Sequence, residues 1–144
     1  LTKYPGYPNA THYSPNFSKA EMDCHCGCPT PPDVAANLVI TAGYAEQWRS
    51  FSGMPFIVDD AYRCATQNAK VGGVPHSQHI QGKAIDRGAN EQTAAGVDFL
   101  GAKALGVPAY VAGGTGRYYN GHGFFVHADW DTNPATRPAH WSET

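Results

Sequence analysis

No stretch of this sequence approaches the roughly 18 uninterrupted apolar residues of a membrane span, so a transmembrane helix is excluded. Neither sign of charge dominates. Lys and Arg number 10, Asp and Glu number 12, and the formal charge of −2 lacks the basic footprint of a nucleic-acid binder. Charged residues are only 15% of the chain and apolar residues 42%, too little charge for a disordered polymer and enough apolar material for one sizeable core. Repeats and low-complexity tracts are absent, and 144 residues suit a single domain. The chain starts at Leu1, without a Met or a signal-like apolar run, and reads as a mature or trimmed product.

What is present points to a turn-rich protein. Gly (16) and Pro (11) together argue against an all-helical bundle. Four cysteines, an even number, accompany the sequons Asn9-Ala10-Thr11 and Asn16-Phe17-Ser18. That combination favours an oxidising setting, so a secreted, extracellular protein is expected. Cys24, Cys26, Cys28 and Cys64 admit two sharp readings. Two disulfides are favoured, with Cys64 pairing one member of the cluster, because a bridge within Cys-x-Cys is short and strained. The alternative is a four-thiolate zinc site, although its usual signature is two Cys knuckles and here the fourth Cys stands alone. Either way an N-terminal segment is tied to the region just after Arg63.

Residues 1–16, rich in Tyr, Pro and Asn, read as an extended arm, and residues 17–144 as the folded domain. Ser18-Lys19-Ala20-Glu21 has the capping-box pattern of a short helical start. From Asp33, apolar residues recur at Val34, Leu38, Ala42, Ala45 and Trp48, which predicts a long helix ended by Gly53. Pro55 to Val58 opens a strand running towards Tyr62 and Arg63. Cys64 to Gly82 reads as a short helix and a long functional loop, and Lys83 to Asp86 as a strand. Asn90 caps a second predicted helix, Glu91 to Leu105, with Gly106 at its C-terminal cap position. Ala109 to Ala112 reads as a strand. Arg117-Tyr118-Tyr119 and Phe124 to Asp129 form a strand pair around Asn120-Gly121. The tail after Asp131 is expected to be irregular. Two main helices with about five short strands predict an α+β domain.

The chemistry concentrates in Ser77-Gln78-His79-Ile80-Gln81-Gly82-Lys83-Ala84-Ile85-Asp86. If the chain turns at Gly82, His79 and Asp86 face one point. Zinc takes about three protein ligands from His and carboxylate and keeps a position for water. His127, on an apolar strand, is the candidate third ligand, and period-two geometry puts Asp129 on its face. Spacing alone leaves open a hydrogen-bonded structural His.

The order Ser-x-His-x-x-Gly-x-Ala-x-Asp, followed about forty residues later by a strand His, resembles the zinc D-Ala-D-Ala peptidases. Those enzymes comprise carboxypeptidases, dipeptidases and phage endolysin peptidases and share the hedgehog fold. Ala61-Tyr62-Arg63, Asn68, Val71-Gly72-Gly73, Phe17-Ser18 and the Cys-x-Cys-Gly-Cys piece fit as well, so the resemblance spans roughly residues 12–130. It implies a small antiparallel sheet packed with two main helices. It also implies His79, Asp86 and His127 as ligands of Zn2+, Arg63 beside the substrate carbonyl, and Ser77 near the substrate.

Two departures bear on mechanism. Relatives carry Glu three residues before the last His, or His two before it; Phe124 and Phe125 stand there and take no proton. Glu21, Glu46, Glu91 and Glu143 all lie far away in sequence. Asp129 is therefore expected as the base or water-orienting residue, with His122 and His76 as rivals and a hydrogen bond to a ligand imidazole as its other possible role. Asp59 and Asp60 replace small residues before Tyr62, and either favour a cationic substrate group or partner Arg63. Arg87 is expected to point away from the metal. Tyr118, Tyr119 and Trp130 either flank a groove or join the core.

The expected function is a zinc-dependent peptidase acting on peptidoglycan stem peptides, as a monomer with no membrane or nucleic-acid partner. Whether it is a carboxypeptidase or an endopeptidase is open. The alternatives are a zinc-containing binding or signalling module of the same fold and a metal-free disulfide-stapled protein.

Overall fold

The computed structural model describes residues 4–144. A two-stranded ribbon, β1 (His12–Ser14) and β2 (Phe17–Ser18), leads into a short helix α1 (Lys19–Met22). The predicted capping box forms there: the Ser18 hydroxyl accepts from Glu21 N, and the Glu21 carboxylate accepts from Ser18 N. Tyr13 and Ser14 are buried, so this part of the arm packs into the domain. Ser14 and Asn16 both donate to the buried Glu46 carboxylate, which engages the Asn16 amide nitrogen that a glycan would occupy.

The longest helix, α2 (Pro32–Ser52), starts with Pro in its first turn and stops at Gly53, whose φ of 64° suits a residue without Cβ. Its Leu38, Ala42, Ala45 and Trp48 are fully buried. They meet Val97 and Leu100 of α4 (Ala94–Ala104) in the core, and the Trp48 indole donates to Leu100 O across the two helices.

The main sheet has the order β3 (Ile57–Asp60), β4 (Ala84–Gly88), β6 (Gly123–Asp129), β5 (Gly114–Asn120), β7 (Ala139–Glu143). All pairs are antiparallel except β5 with β7. Between β3 and β4 run α3 (Ala65–Lys70) and a 3-10 turn at Gln78–Gln81. Alternation divides the sheet. Ile85, Arg87, Val126 and Ala128 are buried towards the helices. Asp86, His127 and Asp129 face the other way.

Three expectations from sequence need correcting. The second helix starts at Thr93, whose hydroxyl accepts from Gly96 N; Asn90 instead donates its side-chain amide to Pro55 O. Ala109 to Ala112 is helical, within α5 (Pro108–Ala112) between Pro108 and Gly113. The tail is not irregular throughout, because β7 joins β5 in parallel and makes the sheet mixed.

Candidate metal centre

Three segments deliver the three expected ligands. His79 sits in the 3-10 turn, which Gly82 ends with φ 74°. That turn is fixed to α2 from behind, where Thr41 Oγ1 donates to Gly82 O at 2.6 Å and Asn37 Nδ2 to Gln81 O at 2.9 Å. A Cβ on Gly82 would lie 3.0–3.2 Å from Val34 and Leu38, so the turn also approaches α2 too closely for a larger residue. Asp86 and His127 are directly opposite each other in the β4–β6 register, which puts their side chains on one face.

The ligand atoms of His79, Asp86 and His127 all lie within 4.8 Å of one another. His79 Nδ1 donates to Ala61 O at 2.6 Å, which leaves the Nε2 lone pair facing Asp86 Oδ1 at 3.1 Å. His127 presents Nδ1 to the same oxygen at 3.0 Å, while its Nε2 meets Asp129 Oδ2 at 2.8 Å. Two imidazoles each held by their far nitrogen, with one carboxylate between them, form a donor set that suits zinc.

The charges are strongly coupled. Burial alone would lift the Asp86 carboxyl, but the two imidazoles hold it well below the usual carboxylate range. Burial disfavours charge on His127, yet hydrogen bonds and charge from Asp129 and Asp86 outweigh that and raise it to about 9. Asp129 is likewise opposed by burial but lowered to about 2 by His127 and Arg137.

Asp129 is fully buried on the far side of the His127 ring from Asp86. Arg137 grips it with two bonds, Nε to Oδ1 at 2.9 Å and Nη2 to Oδ2 at 2.8 Å. Its hydrogen-bonding positions are therefore directed at the imidazole and the guanidinium.

A cleft of about 590 Å3 opens over the three candidate ligands. Arg63 lines it, with Nη1 paired to Asp60 Oδ2 at 3.0 Å and Nη2 donating to Ser77 Oγ at 3.5 Å. Asp60 is thus the partner of Arg63. Ser77 lines the cleft too, and its hydroxyl also accepts from His79 N. Of the rival bases, His76 lies in the cleft wall with a left-handed φ of 64°. His122 sits on the exposed β5–β6 turn, outside that wall. Tyr118 stacks on Phe125 at 4.5 Å and both line the cleft. Tyr119 packs against the core, and the Trp130 indole donates to Thr41 Oγ1. Arg87 is buried on the opposite face, 4.3 Å from the Phe56 ring centroid.

Sequence reasoning missed the contribution of the tail. Arg137 fixes Asp129, Trp141 lies 5.5 Å from the His127 ring, and β7 brings Glu143 beside Tyr118 on the cleft wall. A strand that pairs with β5 by long-range register leaves no local signal beyond its isolated aromatic. The cysteines differ as well. In place of the expected disulfides all four are free, and the 3.1 Å between Cys24 Sγ and Cys26 Sγ exceeds the ~2.05 Å of an S–S bond.

A profile of the family described as Peptidase M15 matches residues 15–129. Over 123 residues the chain is 30% identical to the zinc D-Ala-D-Ala carboxypeptidase of Streptomyces albus G. The match covers 73% of this chain and 48% of that protein, so the chain spans about half the relative's length. Arg137, Trp141 and Glu143 lie beyond the segment that the family profile matches.

Proposed function

The chain belongs to the M15 peptidase family, and on that premise we propose that it is a zinc peptidase hydrolysing peptide bonds in bacterial peptidoglycan stem peptides. The observation that carries this reading is the convergence of His79, Asp86 and His127 from three segments beneath an open cleft with Arg63 on its wall. His79 Nε2, His127 Nδ1 and the Asp86 carboxylate would hold the ion. Zinc in such a set supplies a Lewis acid and brings the pKa of its water towards ~7.

The remaining work belongs to side chains. Arg63, fixed by Asp60 and Ser77, points a charged donor fork at the cleft, where it neutralises negative charge developing on the scissile carbonyl oxygen. Asp129 acts through His127 as a positioning residue, because it holds Nε2 and so commits Nδ1 to the ligand side. The proton of the attacking water then passes to a basic group facing the cleft, where His76 offers an imidazole and Glu143 a carboxylate besides the three candidate ligands. Tyr118 and Phe125 offer a flat apolar wall for the peptide. A substrate in the cell wall puts the working enzyme outside the cytoplasm; no described helix is long and apolar enough to cross a membrane.

The test is incubation of the zinc-loaded protein with purified peptidoglycan, followed by mass spectrometry of the released fragments. Loss of a terminal D-Ala identifies a carboxypeptidase, and cleavage between stems an endopeptidase. Hydrolysis that persists after complete zinc removal contradicts the proposal. A zinc-loaded protein that binds peptidoglycan and releases nothing makes the chain a binding module.

A further inference from the structure

The four cysteines lie outside the cleft and take no part in the proposed hydrolysis, yet their arrangement is specific. Cys24, Cys26 and Cys28 follow α1 on one loop, and Cys64 precedes the first residue of α3. Their four Sγ atoms all lie within 4.8 Å of one another. Cys26 Sγ is 3.1 Å from Cys24 Sγ and 3.6 Å from Cys64 Sγ, so the sulfurs do not sort into two bonded couples. They form one cluster. Four thiolates around zinc at ~2.3 Å in a tetrahedron stand roughly 3.8 Å apart; the 3.1 and 3.6 Å separations around Cys26 are somewhat closer, and none of the four sulfurs is more than 4.8 Å from another.

The backbone around the cluster is built for negative sulfur. Three amide groups donate to Sγ atoms, each at 3.4 Å: Cys28 N to Cys26, Cys64 N to Cys24, and Gln67 N to Cys64. Gly27 makes the loop possible. Its φ of 82° and the Gly27 N to Cys24 O bond at 3.0 Å bend the chain so that three alternate cysteines face one point. A lone thiol needs no such convergence, and two disulfides would need the four sulfurs in two separate couples at ~2.05 Å, whereas Cys26 Sγ has two sulfur neighbours at 3.1 and 3.6 Å.

We propose that Cys24, Cys26, Cys28 and Cys64 form a second, structural metal site that binds zinc through four thiolates. A closed set of four protein ligands leaves no position for substrate, so the site stabilises and does not react. Its place in the fold gives it a consequence. Arg63 lies between Cys64 and the strand end held by Tyr62 N to Met22 O, and its own N–H donates to His79 O at 3.1 Å. The second zinc thus anchors the backbone of the arginine that faces the cleft.

The test uses the full chain, purified without chelator. Elemental analysis is expected to find two zinc ions per chain, one in His127→Ala and one in Cys26→Ser. After exchange with Co2+, the intense thiolate-to-cobalt charge-transfer absorption is expected in the wild type and in His127→Ala and to vanish in Cys26→Ser. Should Cys26→Ser fail to fold, the wild-type cobalt spectrum and a thiol count in denaturant without reductant decide alone. Four reactive thiols after chelation, with the charge-transfer band before it, support the site. One zinc per chain with no thiolate band, iron in place of zinc, or fewer than four thiols in denaturant overturns it, while a zinc count lost only with His127 leaves the cleft site standing.

Discussion

Replacing Asp129 with Asn tests how this cleft holds its metal. The carboxylate has three bonds, one to His127 Nε2 at 2.8 Å and two to Arg137 at 2.9 and 2.8 Å, and no exposure to solvent. Asn keeps the shape and removes the charge. Carboxylates that orient ligand imidazoles typically contribute about 10–100-fold to metal affinity, or about 1.4–2.8 kcal/mol. A second effect opposes this one. In the metal-free chain the Asp129 and Asp86 carboxylates raise His127 to about 9, so at pH 7 zinc must displace a proton at a cost of roughly 3 kcal/mol. Asn lowers that cost by weakening the hold on the proton. The predicted loss in zinc affinity is therefore largest near pH 9, where proton competition fades, and shrinks towards pH 6.5. Chelator competition at several pH values measures it, with peptidoglycan hydrolysis followed in parallel on zinc-saturated protein. Affinity unchanged at pH 9 together with abolished hydrolysis would refute the positioning role and make Asp129 a direct participant in proton transfer.

Gly82→Ala is expected to cost about 2–3 kcal/mol, combining left-handed strain with crowding against Val34 and Leu38, and urea unfolding reads it directly. Arg63→Lys is expected to lower kcat/KM about 100-fold with zinc content unchanged, since the ammonium replaces a fixed fork with one mobile point charge; activity within twofold of wild type refutes its role. The metal-free chain has its own pH signature. His127 is raised from 6.5 to about 9, so its stabilisation is complete below about 6.5 and disappears as pH rises through 9. Asp129, lowered from 3.8 to about 2, stabilises above about 3.8 and stops doing so as pH falls through 2. Thermal melts of chelated protein should therefore peak between pH 4 and 6.5 and decline towards 9, whereas zinc-loaded protein gains over the same rise because ligand protons no longer compete. Parallel declines in both forms would contradict this.

Much of the site was legible because its geometry is local. The seven-residue span from His79 to Asp86 needs only one turn, and Gly82 marks it. The two-residue step from His127 to Asp129 needs only strand alternation. Helix α2 announced itself through Val34, Leu38, Ala42, Ala45 and Trp48. What sequence hid depends on partners far along the chain. Ala109-Tyr110-Val111 has the composition of a strand, and five residues are too few to distinguish the periods; Pro108 at its start and Gly113 at its end were the better signals. Asn90 and Thr93 are both good caps, and only Thr93 has its hydroxyl in reach of the third helical amide. The tail owes its order to pairing with β5, so Arg137, Trp141 and Glu143 gave no hint that they reach the cleft. Glu143 is separated from His127 along the chain and, with β5 between their strands, in the sheet as well, yet both line the same cleft, which is why distance along the chain misjudged it. The cysteines were ambiguous because spacing alone does not distinguish two bridges from four converging thiols.

Diffraction from crystals of the zinc-loaded protein, recorded on both sides of the zinc absorption edge, tests the central claim most directly. An anomalous peak bounded by His79 Nε2, His127 Nδ1 and the Asp86 carboxylate, with one coordination position open towards the Arg63 side of the cleft, is the predicted result. The same three side chains in place with no zinc peak between them would contradict the account.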